Sequence, residues 1–113
     1  MEKILIIEDE VELAELIALY CENAGWETLV CYSAEEALGA IRAATFSLIT
    51  LDLNLPGIDG FETCTRMREI PEVKKTPIIM LSSKTSPLDE VKGIMAGCST
   101  YLTKPIDPVE FQK

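Results

Sequence analysis

Histidine is absent from this chain of 113 residues, and its four cysteines, Cys21, Cys31, Cys64 and Cys98, include no CxxC pair. Zinc centres are built from such ligands at close spacing, so a structural zinc site is excluded, and the cysteines read as buried free thiols rather than redox groups. Basic residues are few: 10 Lys and Arg stand against 19 Asp and Glu, for a net charge of −9. Binding a phosphate backbone needs clustered cations, so no nucleic-acid surface is expected in this domain. No apolar run nears the ~20 residues of a membrane span, and the stretch at 4–7 is too short for a signal peptide, so a cytoplasmic protein with no membrane contact is expected. Neither a GxGxxG loop nor a P-loop occurs, which removes the common nucleotide-binding devices. Internal repeats and low-complexity segments are also lacking.

What is present is enough apolar material for one compact domain over residues 1–113, since hydrophobic residues make up 48% of the chain. Apolar stretches at 4–7, 27–32, 46–51, 77–81 and 100–103 read as five strands. Between them lie helical patterns. Leu13, Leu16, Ile17 and Tyr20 recur at helical spacing until Gly25, and Ser33 with Glu36 forms a capping box ahead of Ala37, Leu38 and Ile41. Asp59 with Glu62 caps a third helix carrying Phe61, Cys64 and Met67, which Pro71 ends. Ser86 and Pro87 open a fourth, with Leu88, Val91, Ile94 and Met95 as its apolar stripe and Gly97 as its stop. Asp107 and Pro108 begin a fifth helix, barely a turn before Lys113, so the sequence reads as cut within its last helix and as part of a longer protein. Strict alternation with short connections predicts an α/β, flavodoxin-like, doubly wound five-stranded parallel sheet of order 2-1-3-4-5 with a truncated fifth helix.

In such a sheet ligands bind at the carboxyl ends of the strands. That edge collects Glu8 and Asp9 after the first strand, Asp52 at the end of the third, Ser82 and Ser83 after the fourth, and Lys104 after the fifth. Three neighbouring carboxylates repel one another by ~3 kcal/mol per pair at ~5 Å and an effective dielectric of ~20, and a hard divalent cation is the natural relief. Oxygen ligands suit Mg²⁺ or Mn²⁺, which would bridge the acids to a phosphoryl group. Asp52 is then the nucleophile, Lys104 a cationic clamp, Ser82 a hydrogen-bond donor, Glu8 and Asp9 the metal anchor, and the Asn54 carbonyl a further ligand. Each residue has an ordinary alternative: Glu8 or Asp9 as a helix cap, Asp52 as a turn residue, Ser82 as a local backbone partner, Lys104 as a solvated charge.

With those residues placed, the sequence resembles the receiver domain of two-component response regulators, the CheY-like family, over nearly its whole length. ILIIEDE, LDLNLPGIDGFE, PIIMLSSK and YLTKP stand in the family's order, with 30 residues from Asp52 to Ser82 and 22 from Ser82 to Lys104. The resemblance implies that a histidine kinase or phosphotransfer protein phosphorylates Asp52, with Mg²⁺ held by Glu8, Asp9, Asp52 and the Asn54 carbonyl. It further implies a switch formed by Ser82 and Tyr101, and a cis peptide between Lys104 and Pro105. An output domain or target would read the fourth helix and fifth strand, which also offer a route to a homodimer. Three positions depart from the usual pattern: Glu8 stands where many members have Asp, Ser82 where Thr is commoner, and Ser83 where a small Ala is usual. Two other readings compete. A pseudo-receiver would bind partners without phosphorylation, but such modules typically lose positions that are all present here. A phosphatase of the haloacid dehalogenase type would want a second Asp two residues after Asp52, where Asn54 stands.

Overall fold

The computed structural model describes residues 2–53, 55, 57–82 and 86–103. Along the chain run β1 (Lys3–Ile7), α1 (Val11–Asn23), β2 (Glu27–Cys31), α2 (Ala34–Ala43), β3 (Leu48–Asp52), α3 (Gly60–Arg68), a 3-10 turn (Pro71–Val73), β4 (Ile78–Ser82), α4 (Pro87–Ala96) and β5 (Thr100–Thr103). The strands pair in parallel in the order β2-β1-β3-β4-β5, as expected from the alternation. The expected fifth helix, with Asp107 and Pro108, lies outside the described residues. Among those described, no helix is long and apolar enough to cross a membrane.

Strands covered on both faces are apolar at consecutive positions, and successive residues part to opposite sides. Leu5, Ile7, Ile49, Leu51, Ile78 and Met80 therefore meet Ala37 and Ile41 of α2 and Cys64 and Met67 of α3. The alternate residues Ile4, Ile6 and Leu81 meet Ile17 and Cys21 of α1. Each fully buried Ile or Leu contributes roughly 1.5–3 kcal/mol, so the sheet is the main source of stability.

Three helices are capped where the sequence predicts. Ser33 Oγ accepts from Glu36 N at 3.2 Å, Asp59 Oδ1 from Glu62 N at 2.8 Å, and Ser86 Oγ from Asp89 N at 3.0 Å. Each cap is worth about 1 kcal/mol. The return bond of the α2 box goes to a neighbour: Glu36 Oε2 accepts from Tyr32 N at 3.4 Å. α4 ends at Gly97, whose φ of 109° is a left-handed conformation that a side chain would strain.

Two helical faces differ from expectation. In α1 the inward line is Ala14, Ile17 and Cys21, with Leu13 and Tyr20 partly covered, while Leu16 is exposed. In α4 the predicted stripe turns outward: Leu88, Val91, Ile94 and Met95 are 63%, 51%, 58% and 82% exposed. The inward side of α4 is built from Gly93, which is buried, and Ala96, which is partly so. Small residues let the helix backbone approach the sheet, and that close approach decides which side faces in.

Candidate metal and phosphoryl site

The register of the sheet assembles the site. Ile7 pairs with Leu51 and Asp52 with Leu81, so the residues that leave β1, β3 and β4 at their carboxyl ends emerge side by side. Two further bonds extend the ladders beyond their last pairs: Glu8 N donates to Cys31 O at 3.0 Å, and Leu53 N to Leu81 O at 2.8 Å. Gly60 N, at the start of α3, donates to Leu53 O at 2.8 Å and ties the β3–α3 connection down.

Glu8, Asp9 and Asp52 come together there, with one carboxylate oxygen of each lying within 4.8 Å of the others. Glu8 and Asp52 are 1% and 2% exposed, whereas Asp9 faces solvent. At that separation and an effective dielectric of ~20 the two buried charges repel by about 3 kcal/mol, a cost that a cation bound between them would remove. The donor set is all oxygen, without imidazole or thiolate, which matches a hard cation. The capping alternative is met in part: Glu8 Oε2 accepts from the amide of Glu10, the N-cap residue of α1, at 3.1 Å. One carboxylate thus both orders the entry to the helix and belongs to the acid cluster. Asp52 is the last paired residue of β3 rather than a turn residue.

Ser82, 1% exposed, ends β4 one residue beyond the partner of Asp52 and pairs with Thr103. Tyr101 pairs with Met80 and packs, partly buried, against the core between the sheet, α2 and α3. Asn54, Ser83, Lys104 and Pro105 lie outside the described residues, so the ligand carbonyl, the clamp and the cis peptide expected there stay as sequence expectations. All four cysteines are free and buried. Burial pushes the thiols of Cys21, Cys31 and Cys64 up from 9.0 to about 11 and raises that of Cys98, which removes them from nucleophilic chemistry near neutrality.

One organising residue has no counterpart in the sequence reading. Arg68, in the last turn of α3, donates from Nε to Gly97 O at 2.8 Å. Its Nη1 donates to Val73 O at 2.9 Å and Thr76 O at 2.6 Å. A guanidinium thereby fastens the end of α4 to the connection before β4. The available signal was a basic residue closing a helix just ahead of Pro71.

Comparison with known proteins agrees with this geometry. The family profile described as response regulator receiver domain matches residues 4–113. The chain is 40% identical over 110 residues to regulatory protein VanR of Enterococcus faecium, covering 96% of this chain and 46% of that protein. It is 39% identical over 108 residues to transcriptional regulatory protein ResD of Bacillus subtilis, covering 96% and 44%. The chain thus spans about half the length of these curated relatives. Among solved structures, chemotaxis protein CheY4 of Vibrio cholerae superposes with a TM-score of 0.93 at 32% identity, covering 99% of this chain and 92% of that one. The BeF3-activated N-terminal receiver domain of Klebsiella pneumoniae RstA gives 0.90 at 29% identity, covering 98% and 92%. The chain belongs to the response regulator receiver domain family, the CheY-like signalling domains of two-component systems.

Proposed function

We propose that the domain accepts a phosphoryl group on Asp52 and thereby changes the surface it offers to partners. The observation that carries this reading is the cluster of Glu8, Asp9 and Asp52, with oxygens within 4.8 Å of one another and two of the three carboxylates buried. Buried acids at that spacing are costly without a cation, and a carboxylate beside a cation is a competent acceptor for phosphoryl transfer. Mg²⁺, or Mn²⁺, held by Glu8, Asp9, Asp52 and the Asn54 carbonyl, would neutralise charge on the transferring group. An Asp52 oxygen attacks phosphorus, the bond to the donor nitrogen of a phosphohistidine breaks, and an acyl phosphate is left on Asp52. The Lys104 ammonium balances the remaining negative charge, and the Ser82 hydroxyl donates to a phosphoryl oxygen.

The donor is a sensor histidine kinase or a phosphotransfer protein, and the chain catalyses only its own phosphorylation and dephosphorylation, in the cytoplasm. Ser82 and Tyr101 form the switch, because the phosphoryl group gains contacts in one of their arrangements only and so shifts a pre-existing balance. The outward apolar residues of α4, together with β5, are the surface that an output domain, a target or a second copy reads.

The test is intact mass after incubation with acetyl phosphate and Mg²⁺. A single phosphoryl adduct that disappears in Asp52→Asn and in metal-free buffer is the expected result. Consumption of donor with no adduct would replace this reading with a turnover phosphatase, and neither adduct nor turnover with a binding-only module.

A further inference from the structure

Two glycines interrupt helices in this domain, Gly39 in α2 and Gly93 in α4, and each position gives up helix propensity relative to alanine. Their surroundings differ. A methyl group at Gly39 would meet nothing within 4 Å. One at Gly93 would lie 3.0 Å from Tyr101 Cδ2, 3.2 Å from Cys98 Sγ and 3.3 Å from Met80 Sδ. Gly93 is also the buried residue of α4, so the helix rests on the sheet through bare backbone at the point where the Tyr101 ring lies.

Backing the helix away is not an easy escape from such a contact. Arg68 holds Gly97 O at 2.8 Å, and just beyond it Ser99 N donates to Ile78 O of β4 at 2.7 Å, so the carboxyl end of α4 is tied both to α3 and to the sheet. A tyrosine ring turns about its side-chain torsions at far lower cost than a tied helix moves. An added methyl would therefore displace the ring.

We propose that Gly93 is a positioning residue for Tyr101: its missing side chain is the slot that holds the ring against α4, and the size of that slot sets the balance between ring positions. The functional weight of this balance rests on the reading of Tyr101 as part of the switch. A methyl in the slot acts against the ring position that lies on α4, and an effect that differs between two positions is the requirement for a population shift.

The test compares Gly93→Ala with Gly39→Ala in protein carrying 3-fluorotyrosine at its three tyrosines, Tyr20, Tyr32 and Tyr101. The expected result is a displaced fluorine resonance for Tyr101 in Gly93→Ala alone, with Tyr20 and Tyr32 unmoved. A folded Gly93→Ala protein with an unmoved Tyr101 signal would overturn the proposal. Should the variant prove too unstable for spectroscopy, thermal melts in a Tyr101→Ala background decide: the Tm loss caused by Gly93→Ala must shrink there, and an undiminished loss overturns the proposal. The switch reading has a separate arm, acetyl phosphate with Mg²⁺ added to the unsubstituted protein. If Gly93→Ala displaces the Tyr101 signal while phosphorylation does not, the positioning role stands and the switch reading falls.

Discussion

At the carboxyl ends of β1, β3 and β4 the buried polar side chains are Glu8, Asp52 and Ser82. At the amino ends of the same strands Ile4, Leu48 and Ile79 line a recess of about 350 Å³ together with Tyr20 and Trp26. A parallel sheet sends all its strands in one direction, so the residues that close them gather on one edge. The acidic edge carries a like-charge repulsion that a bound cation relieves. The apolar edge contributes shape and area and asks for nothing. Substitutions at the two edges should therefore move different observables.

The largest effect is expected at the acidic edge. Asp52→Asn should abolish the phosphoryl adduct and at the same time stabilise the metal-free protein, by about 1–3 kcal/mol, because the like charge beside Glu8 is gone. The same change should reduce the rise in Tm that millimolar Mg²⁺ gives the unsubstituted protein, since binding to the folded state alone is what produces that rise. Melting curves with and without Mg²⁺, read beside intact mass, check all three. A destabilised metal-free Asp52→Asn protein would show that Asp52 serves packing and erase the contrast between the edges.

The apolar edge should respond in the opposite way. Trp26 is half-buried against α1 and the sheet. Trp26→Ala should cost about 2 kcal/mol, less than the 3–5 of a fully buried aromatic, while the rate of adduct formation stays that of the unsubstituted protein. Denaturant melts and a mass time course measure the two. A slowed time course at full folding would mean that the edges are coupled.

The acidic edge was the more legible of the two in the sequence. Glu8, Asp9 and Asp52 were marked by where apolar runs stop, and their convergence at one edge of a parallel sheet set them apart from ordinary caps and turns. The three caps were readable because each depends on residues near in sequence, and the strand order because strict alternation with short right-handed connections leaves few arrangements. What failed depends on how closely elements approach. Leu88, Val91, Ile94 and Met95 have the spacing of a core stripe, yet Gly93 and Ala96 face the sheet, since a helix resting on its backbone buries its small residues. Leu16 was misassigned in α1 by the same logic, where Ala14 sits inside. Arg68 was missed because a basic residue in a last helical turn does not show which main-chain carbonyls it will reach.

Between the two edges, Thr50 sits in the middle of β3, fully buried, and its Oγ1 has no hydrogen-bond partner among the described residues. An unsatisfied buried hydroxyl costs roughly 1–3 kcal/mol, and valine has the same branched shape without it. Thr50→Val should raise stability by about 1 kcal/mol with adduct formation unchanged. A loss of stability would show that the hydroxyl is satisfied in solution and that polar burial reaches further along β3 than its end.

The effect confined to alkaline pH tests whether burial alone, irrespective of edge, governs the thiols. Cys21 lines the apolar recess, whereas Cys31 ends β2 and its carbonyl accepts from Glu8. Both are pushed up from 9.0 to about 11, first by burial and then by one nearby acid, Glu22 for Cys21 and Glu36 for Cys31. The folded state then keeps protons that the unfolded chain has already released, so this contribution is complete below pH 9.0 and is lost as pH rises towards about 11. Melting temperature should fall across that window, and Cys21→Ala and Cys31→Ala should each remove a similar share of the fall. If Cys31→Ala removed much the larger share, the charge of the acidic edge, and not burial, would set the protonation of its neighbours.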